Sequence, residues 1–281
     1  MSLPMFPSGS DPGPSFVDLL RQNLGPGGNG LVAGISSGSA PAPQQRAVAP
    51  AGVAHGTTIV ALRSGDGVVM AGDRRVTAGS SIAHRSIEKV FAADRHSAVA
   101  IAGVAGPAIE MVRLFQTQIE HYEKVEGTEL SLEGKANQLA QMVRANLPMA
   151  MEGLAVVPLF AGFDVKARVG RIFSFDVAGG RYEETEYQAT GSGGRDARTT
   201  IKLGYRAGLP TDDAVELAIQ ALYQAADEDS ATGGPDPVRG IYPVVAIVDE
   251  DGYRRLADEE VAERFAALLA TIETARRGSA S

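Results

Sequence analysis

The chain reads as an α+β protein, a four-layer αββα sandwich of two antiparallel sheets flanked by helices. Three observations lead there. Apolar strand patterns come in runs joined by short Gly- and Asp-rich turns, which favours antiparallel pairing over βαβ crossovers. Those runs alternate with helical patterns in the order strands, two helices, strands, two helices, strands, helix. No internal repeat of fixed period intervenes.

The elements follow in chain order. TTIVAL and GVVMAGDRRV are two strands around a Ser-Gly-Asp-Gly turn, a hairpin signal. IEKVFAA and SAVAIAGVA form a second pair. The apolar period then lengthens. Ile109, Val112, Leu114, Phe115 and Ile119 predict a helix over 108–125, after a Gly106-Pro107 start. Leu132, Ala136, Leu139, Met142, Val143 and Leu147 predict another over 132–147. Strands return as VVPLFAGFDV, GRIFSFDV and YQATGSG. Helices near 196–205 and 212–227 precede the strands IYPVVAIVD and GYRRL. Val261, Phe265, Leu268, Leu269 and Ile272 share one face of a closing helix over 258–276.

Residues 1–56 differ in kind. They are crowded with Pro, Gly, Ser and Ala and bury too little apolar surface to offset the entropy of ordering. We expect a mostly disordered leader with one short helix near 15–24. There Ser15 can cap, and Phe16, Leu19, Leu20 and Leu24 share a face. Residues 57–281 are then the folded domain. The net charge of −8 argues against nucleic acid as a partner. With no cysteine, thiol chemistry and disulfides are excluded. The four histidines, His55, His84, His96 and His121, lack metal-ligand spacing, so no metal or cofactor is expected. No stretch is apolar enough to span a membrane, and the N-terminus lacks a signal-peptide pattern; cytoplasm is the expected location.

Thr57-Thr58 stands between His55-Gly56 and the apolar run Ile59-Val60-Ala61-Leu62. A threonine hydroxyl needs a base, and its own α-amine serves only when that threonine begins the chain. Here Gly56 precedes it, so a nucleophilic Thr57 implies an inactive precursor. Such a site also needs a cation near the hydroxyl and a carboxylate to hold that cation. Asp73 ends the second strand, and Lys89 interrupts the apolar run of the third. Singly, Asp73 reads as a strand-end carboxylate and Lys89 as an edge-strand lysine that blunts aggregation.

Together the motifs are specific. HGTTIVAL, GDGVVMAGDRR, IEKVF, IAGVAG, EHYEKVEG, VRANLPMAMEGLAVVPLFAGFDV, GRIFSFD, ATGSG and DSATGGPD resemble the β subunit of the 20S proteasome of actinobacteria, from about His55 to Leu256. The resemblance implies the N-terminal nucleophile (Ntn) hydrolase fold and a threonine endopeptidase freed by cleavage between Gly56 and Thr57. By the same resemblance, Thr57 is the nucleophile and Asp73 and Lys89 are its charged partners. Gly103 supplies the oxyanion N–H, and Ser192, Asp229 and Thr232 support the amine. It implies substrate contact by the backbones of Thr77 and Ala105. Val76, Ile87, Phe91, Ile101, Ala105 and Ile109 line the pocket, an uncharged set favouring cleavage after apolar residues. Implied partners are proteasome α subunits, further copies in a seven-membered ring with two rings stacked, a ring-shaped ATPase acting through the α rings, and protein substrates tagged by a ubiquitin-like modifier.

The Gly194-Arg195-Asp196-Ala197 segment departs from the family, whose members often carry a second serine there. An inactive structural β-type subunit is one rival, and intact Gly56, Thr57, Asp73 and Lys89 argue against it. A simpler bacterial threonine protease working with an unfoldase has a shorter body and almost no leader. Phosphate binding by the loops 191–194 or 233–234 lacks Walker or dinucleotide spacing.

Overall fold

The computed structural model describes residues 54–278. Residues 1–53 of the leader, including the expected helix near 15–24, lie outside the described residues.

β1 (Ala54–His55), β2 (Thr58–Arg63) and β3 (Val68–Gly72) open the body. The predicted hairpin forms: Ser64 N–H donates to the Gly67 carbonyl at 2.9 Å and Ser64 Oγ accepts from Gly67 N at 3.1 Å, which closes the turn between β2 and β3. The second strand stops at Gly72 rather than running on to Val76. Asp73 accepts from the backbone N–H of Arg75 at 2.8 Å, which bends the chain out of the ladder. The released residues form β4 (Val76–Ala78) and β5 (Ser81–His84), which build a small three-stranded sheet with β1. The apolar period does not foretell this sheet, because β5 is exposed throughout.

β6 (Val90–Asp94) and β7 (Ser97–Gly103) form the second hairpin. Residues 87–89 precede the ladder; Lys89 still accepts from Ile101 N–H at 2.9 Å. α1 (Ala105–Glu126) starts three residues before 108. Pro107 falls in its first turn, where a missing N–H costs nothing. Gly127, at φ 68°, ends it as a left-handed cap. The predicted helix over 132–147 divides into α2 (Leu132–Ala145) and α3 (Leu147–Met151), with Pro148 in the first turn of α3. A proline inside a longer helix would remove a hydrogen bond and clash with the preceding turn.

β8 (Val156–Asp164), β9 (Val169–Phe175), β10 (Arg181–Glu184) and β11 (Tyr187–Gly191) follow. The short, charged β10 carries no apolar pattern; it pairs with the edge of β9. α4 (Gly194–Gly204), α5 (Thr211–Glu228), β12 (Val244–Asp249), β13 (Gly252–Arg255) and α6 (Asp258–Gly278) complete the chain. The departing 194–197 segment opens α4, and its Ala197 is fully buried in the core beneath α5.

The two five-stranded sheets run β10-β9-β8-β7-β6 and β11-β2-β3-β12-β13, with every neighbouring pair antiparallel. Alternation along the strands divides the core in three. Ile59, Met70, Ala100, Leu159 and Ile172 pack between the sheets. Val60, Leu62, Val69, Val245 and Ile247 face α4, α5 and α6. Val99, Phe160 and Phe173 face α1 and α2, where Phe115 meets Phe160 edge-to-face at 5.8 Å between centroids. Burying such a phenylalanine stabilises the fold by about 1.5–3 kcal/mol. The result is the four-layer sandwich.

Candidate active site

Thr57 precedes β2, whose first residue, Thr58, pairs with Gly191 at the end of β11. The same end of β3 carries Asp73, whose N–H donates to the Thr58 carbonyl at 3.1 Å. The hairpin therefore returns Asp73 beside Thr57, and the second sheet delivers Lys89 ahead of β6. Thr57 is 5% exposed, Lys89 2% and Asp73 0%.

Lys89 uses all three ammonium protons. Nζ donates to Asp73 Oδ1 at 2.6 Å, to the Arg75 carbonyl at 2.6 Å and to the Gly56 carbonyl at 3.1 Å. Burial pulls the Lys89 ammonium below its ordinary range, while Asp73 acts against that pull. Asp73 is held in turn by three backbone donors, the N–H groups of Thr58, Arg75 and Gly233, each at 2.8 Å. A carboxylate so surrounded is ready to hold a cation.

The Thr57 hydroxyl donates to the Gly56 carbonyl oxygen at 2.6 Å, so that oxygen is shared with Lys89. Gly56 has φ 117°, and a Cβ there would come within 2.7 Å of Thr77 Oγ1 and 2.9 Å of the Ala231 carbonyl. Glycine is required just before Thr57 for conformation and for space alike. The chain entering this bond pairs with β4, His55 opposite Thr77 and Ala54 opposite Ala78.

On the other side, Ser192 N–H donates to the Thr57 carbonyl at 2.8 Å, and Ser192 Oγ lies 3.4 Å from Thr57 N. Asp229 accepts from Thr232 Oγ1 at 2.6 Å and from Ala231 N–H at 3.0 Å. Burial works to raise its pKa, but hydrogen bonds from Ser192, Thr232 and Ala231 outweigh it and hold the carboxyl below the usual range. Asp229 is thus an anion at neutral pH, linked through Ser192 to the Thr57 nitrogen.

Gly103 ends β7 at φ 116° and lies in the cleft that Thr57 opens into. Any Cβ there would sit 2.1 Å from the Ala155 carbonyl oxygen. Gly103→Ala is therefore expected to cost about 2 kcal/mol or more and to depress peptidase activity. Thermal denaturation checks this; an unchanged melting temperature would contradict the steric argument.

That cleft is small and is lined by Val76, Ile87, Ile101, Ala105 and Ile109, together with Ala108, Glu88 and Lys89. Phe91 does not line it; it packs half-buried against the same cluster as Ile101 and Ile109. Thr77 contributes through β4 rather than through the cleft wall. Sequence reasoning missed Glu88, which pairs with Arg255 at 2.6 Å, the Arg75 carbonyl and Thr58. The Glu-Lys dipeptide was a usable signal for the first; a backbone carbonyl leaves none.

Fold and site together define the class. Two packed antiparallel sheets inside helices, with a threonine at a strand start beside a buried lysine–aspartate pair, are the architecture of the Ntn hydrolases. The proteasome subunit family matches residues 53–238. The chain is 60% identical over 263 residues to proteasome subunit beta of Acidimicrobium ferrooxidans, covering 94% of this chain and 92% of that one. Identity is 63% over 216 residues with proteasome subunit beta of Acidothermus cellulolyticus, covering 75% and 74%. With that of Streptomyces griseus it is 59% over 215 residues, 76% of each. The chain belongs to the proteasome subunit family, on its β branch.

Proposed function

We propose that this β-type proteasome subunit hydrolyses peptide bonds as a threonine endopeptidase, with Thr57 as nucleophile after removal of residues 1–56. One observation carries the reading: the Gly56 carbonyl oxygen is held by both the Thr57 hydroxyl at 2.6 Å and Lys89 at 3.1 Å. A carbonyl polarised by a cation and touched by the adjacent hydroxyl is arranged for intramolecular attack.

Processing then runs in two steps. Thr57 Oγ bonds to the Gly56 carbonyl carbon, the Gly56–Thr57 C–N bond breaks, and the released amine takes the hydroxyl proton. Water hydrolyses the resulting ester, leaving the Gly56 carboxylate on the leader. The freed α-amine, with a pKa of about 7.7–8.0, is the base that the precursor lacked. In hydrolysis it accepts the Thr57 hydroxyl proton as Oγ attacks a substrate carbonyl, and Lys89 stabilises the developing alkoxide. Gly103 N–H serves as the oxyanion donor, and Ser192, Asp229 and Thr232 orient the amine. The pairing of β1 with β4 supports the same edge as the seat of a substrate strand, with Thr77 and Ala105 supplying backbone contacts. The mostly apolar cleft favours cleavage after apolar residues.

The family places this protease within a larger assembly. We propose rings of seven copies, two rings stacked and capped by α subunits, fed by a ring-shaped ATPase with tagged proteins in the cytoplasm. Co-expression with a proteasome α subunit should yield a β chain that begins at Thr57, read by intact mass and N-terminal sequencing. Any other mature N-terminus overturns the nucleophile assignment.

A further inference from the structure

We infer that Thr58, the residue after the nucleophile, is a positioning residue whose hydroxyl locks together the two loops that hold the Thr57 amine. The inference rests on the proposed role of Thr57. Thr58 and Thr232 are both fully buried. Thr58 Oγ1 lies 2.6 Å from Thr232 Oγ1 and accepts from Gly193 N–H at 2.9 Å.

Proton counting fixes the direction of this chain. Each hydroxyl carries one proton. Thr232 gives its proton to Asp229 Oδ2 at 2.6 Å, and an ionised carboxylate can only accept. Thr58 must therefore donate to Thr232. The order is Gly193 N–H to Thr58, Thr58 O–H to Thr232, and Thr232 O–H to Asp229. Every donor and acceptor in the line is used once, and the anion at its end sets its polarity.

The line joins two separate segments. Gly193 adjoins Ser192, which reaches the Thr57 carbonyl and nitrogen from the loop after β11. Asp229 and Thr232 belong to the loop after α5. Both loops meet at one oxygen, Thr58 Oγ1. Close packing keeps it there: a Cβ on Gly193 would fall 2.8 Å from Thr58 Oγ1 and 2.6 Å from Thr232 Oγ1. Valine has the shape of threonine without the oxygen. Thr58→Val would leave the buried Gly193 N–H without its acceptor and Thr232 without its donor. Ser192 and Asp229 would then be free to drift from the amine, while the cleft lined by Val76, Ile101 and Ile109 stays as it is.

The test uses the full chain co-assembled with a proteasome α subunit and a fluorogenic peptide ending in an apolar residue. Thr58→Val should lower kcat by about 10–100-fold with KM changed by less than about twofold. Thr58→Ser, which keeps the hydroxyl, should restore most of kcat. Thr232→Val leaves the Gly56–Thr57–Thr58 segment untouched and should reproduce the kcat loss even if the Thr58→Val precursor fails to assemble. The double variant should be no worse than the more severe single one, because both cut the same line. With Thr57→Ala inactive in the same assay, wild-type kcat in Thr58→Val or Thr232→Val overturns this inference alone, as does a loss confined to KM. An active Thr57→Ala would instead remove the proposed function beneath it.

Discussion

Replacing Thr57 with alanine is expected to abolish both peptide hydrolysis and removal of the leader. Losing a nucleophile costs about a millionfold in kcat, which places the variant below detection. The leader should remain because the hydroxyl that bonds to the Gly56 carbonyl is gone; Lys89 donates to that oxygen and cannot attack as an ammonium. The fold should be little affected. Among the described residues the Thr57 hydroxyl bonds to the Gly56 oxygen alone, and that oxygen keeps Lys89 when the hydroxyl is gone. We expect the stability change to stay below about 1 kcal/mol, since no buried group is orphaned. Intact mass, peptidase assay and thermal denaturation of the assembled variant test the three parts separately. Substantial turnover by Thr57→Ala, or a leader still removed at residue 56, would reject the mechanism.

Lys89→Met should be inactive as well, but for a different reason and with a structural cost. Methionine retains the buried stem and loses the cation. Asp73 then keeps its three backbone donors while losing its counter-charge in a buried site. Breaking a buried pair costs about 3–5 kcal/mol, and those donors place this case towards the lower end. Denaturant unfolding of the unassembled precursor should show the loss as a lower midpoint. The pH dependence supplies a second signature. The folded-state pKa of Lys89 is depressed, chiefly by burial. Between that value and the ordinary lysine value of about 10.4, the unfolded chain binds one more proton than the native one. Stability from this group therefore rises with pH across that window. Lys89→Met should lack the rise; a variant whose alkaline stability profile matches the parent would sink the assignment of a strained, buried ammonium.

Much of the fold was legible in period and punctuation. The two hairpins and the large helices follow from alternation, from the 3.6-residue period, and from Gly106-Pro107 at the start of the first helix. The exceptions share one cause. β5 and β10 are exposed or charged strands held by edge pairing, so no apolar pattern marks them. The break between α2 and α3 was signalled by Pro148, which the apolar period concealed. Phe91, expected in the cleft, packs half-buried against the cluster that holds Ile101 and Ile109, a side-chain placement that the residue's apolar character alone does not distinguish.

The sequence by itself determined which chemistry was available: a threonine behind a glycine, a carboxylate at a strand end, a lysine in an apolar run, and no thiol to compete with them. Only the tertiary structure decided that these groups meet. Thr58 and Thr232 are 174 residues apart and 2.6 Å distant. The third acceptor of Lys89 is the carbonyl of Arg75, a group every residue possesses. Side-chain identity is written in the chain. Which backbone N–H and C=O groups converge on a buried charge depends on how two sheets stack, and that is a property of the packed fold.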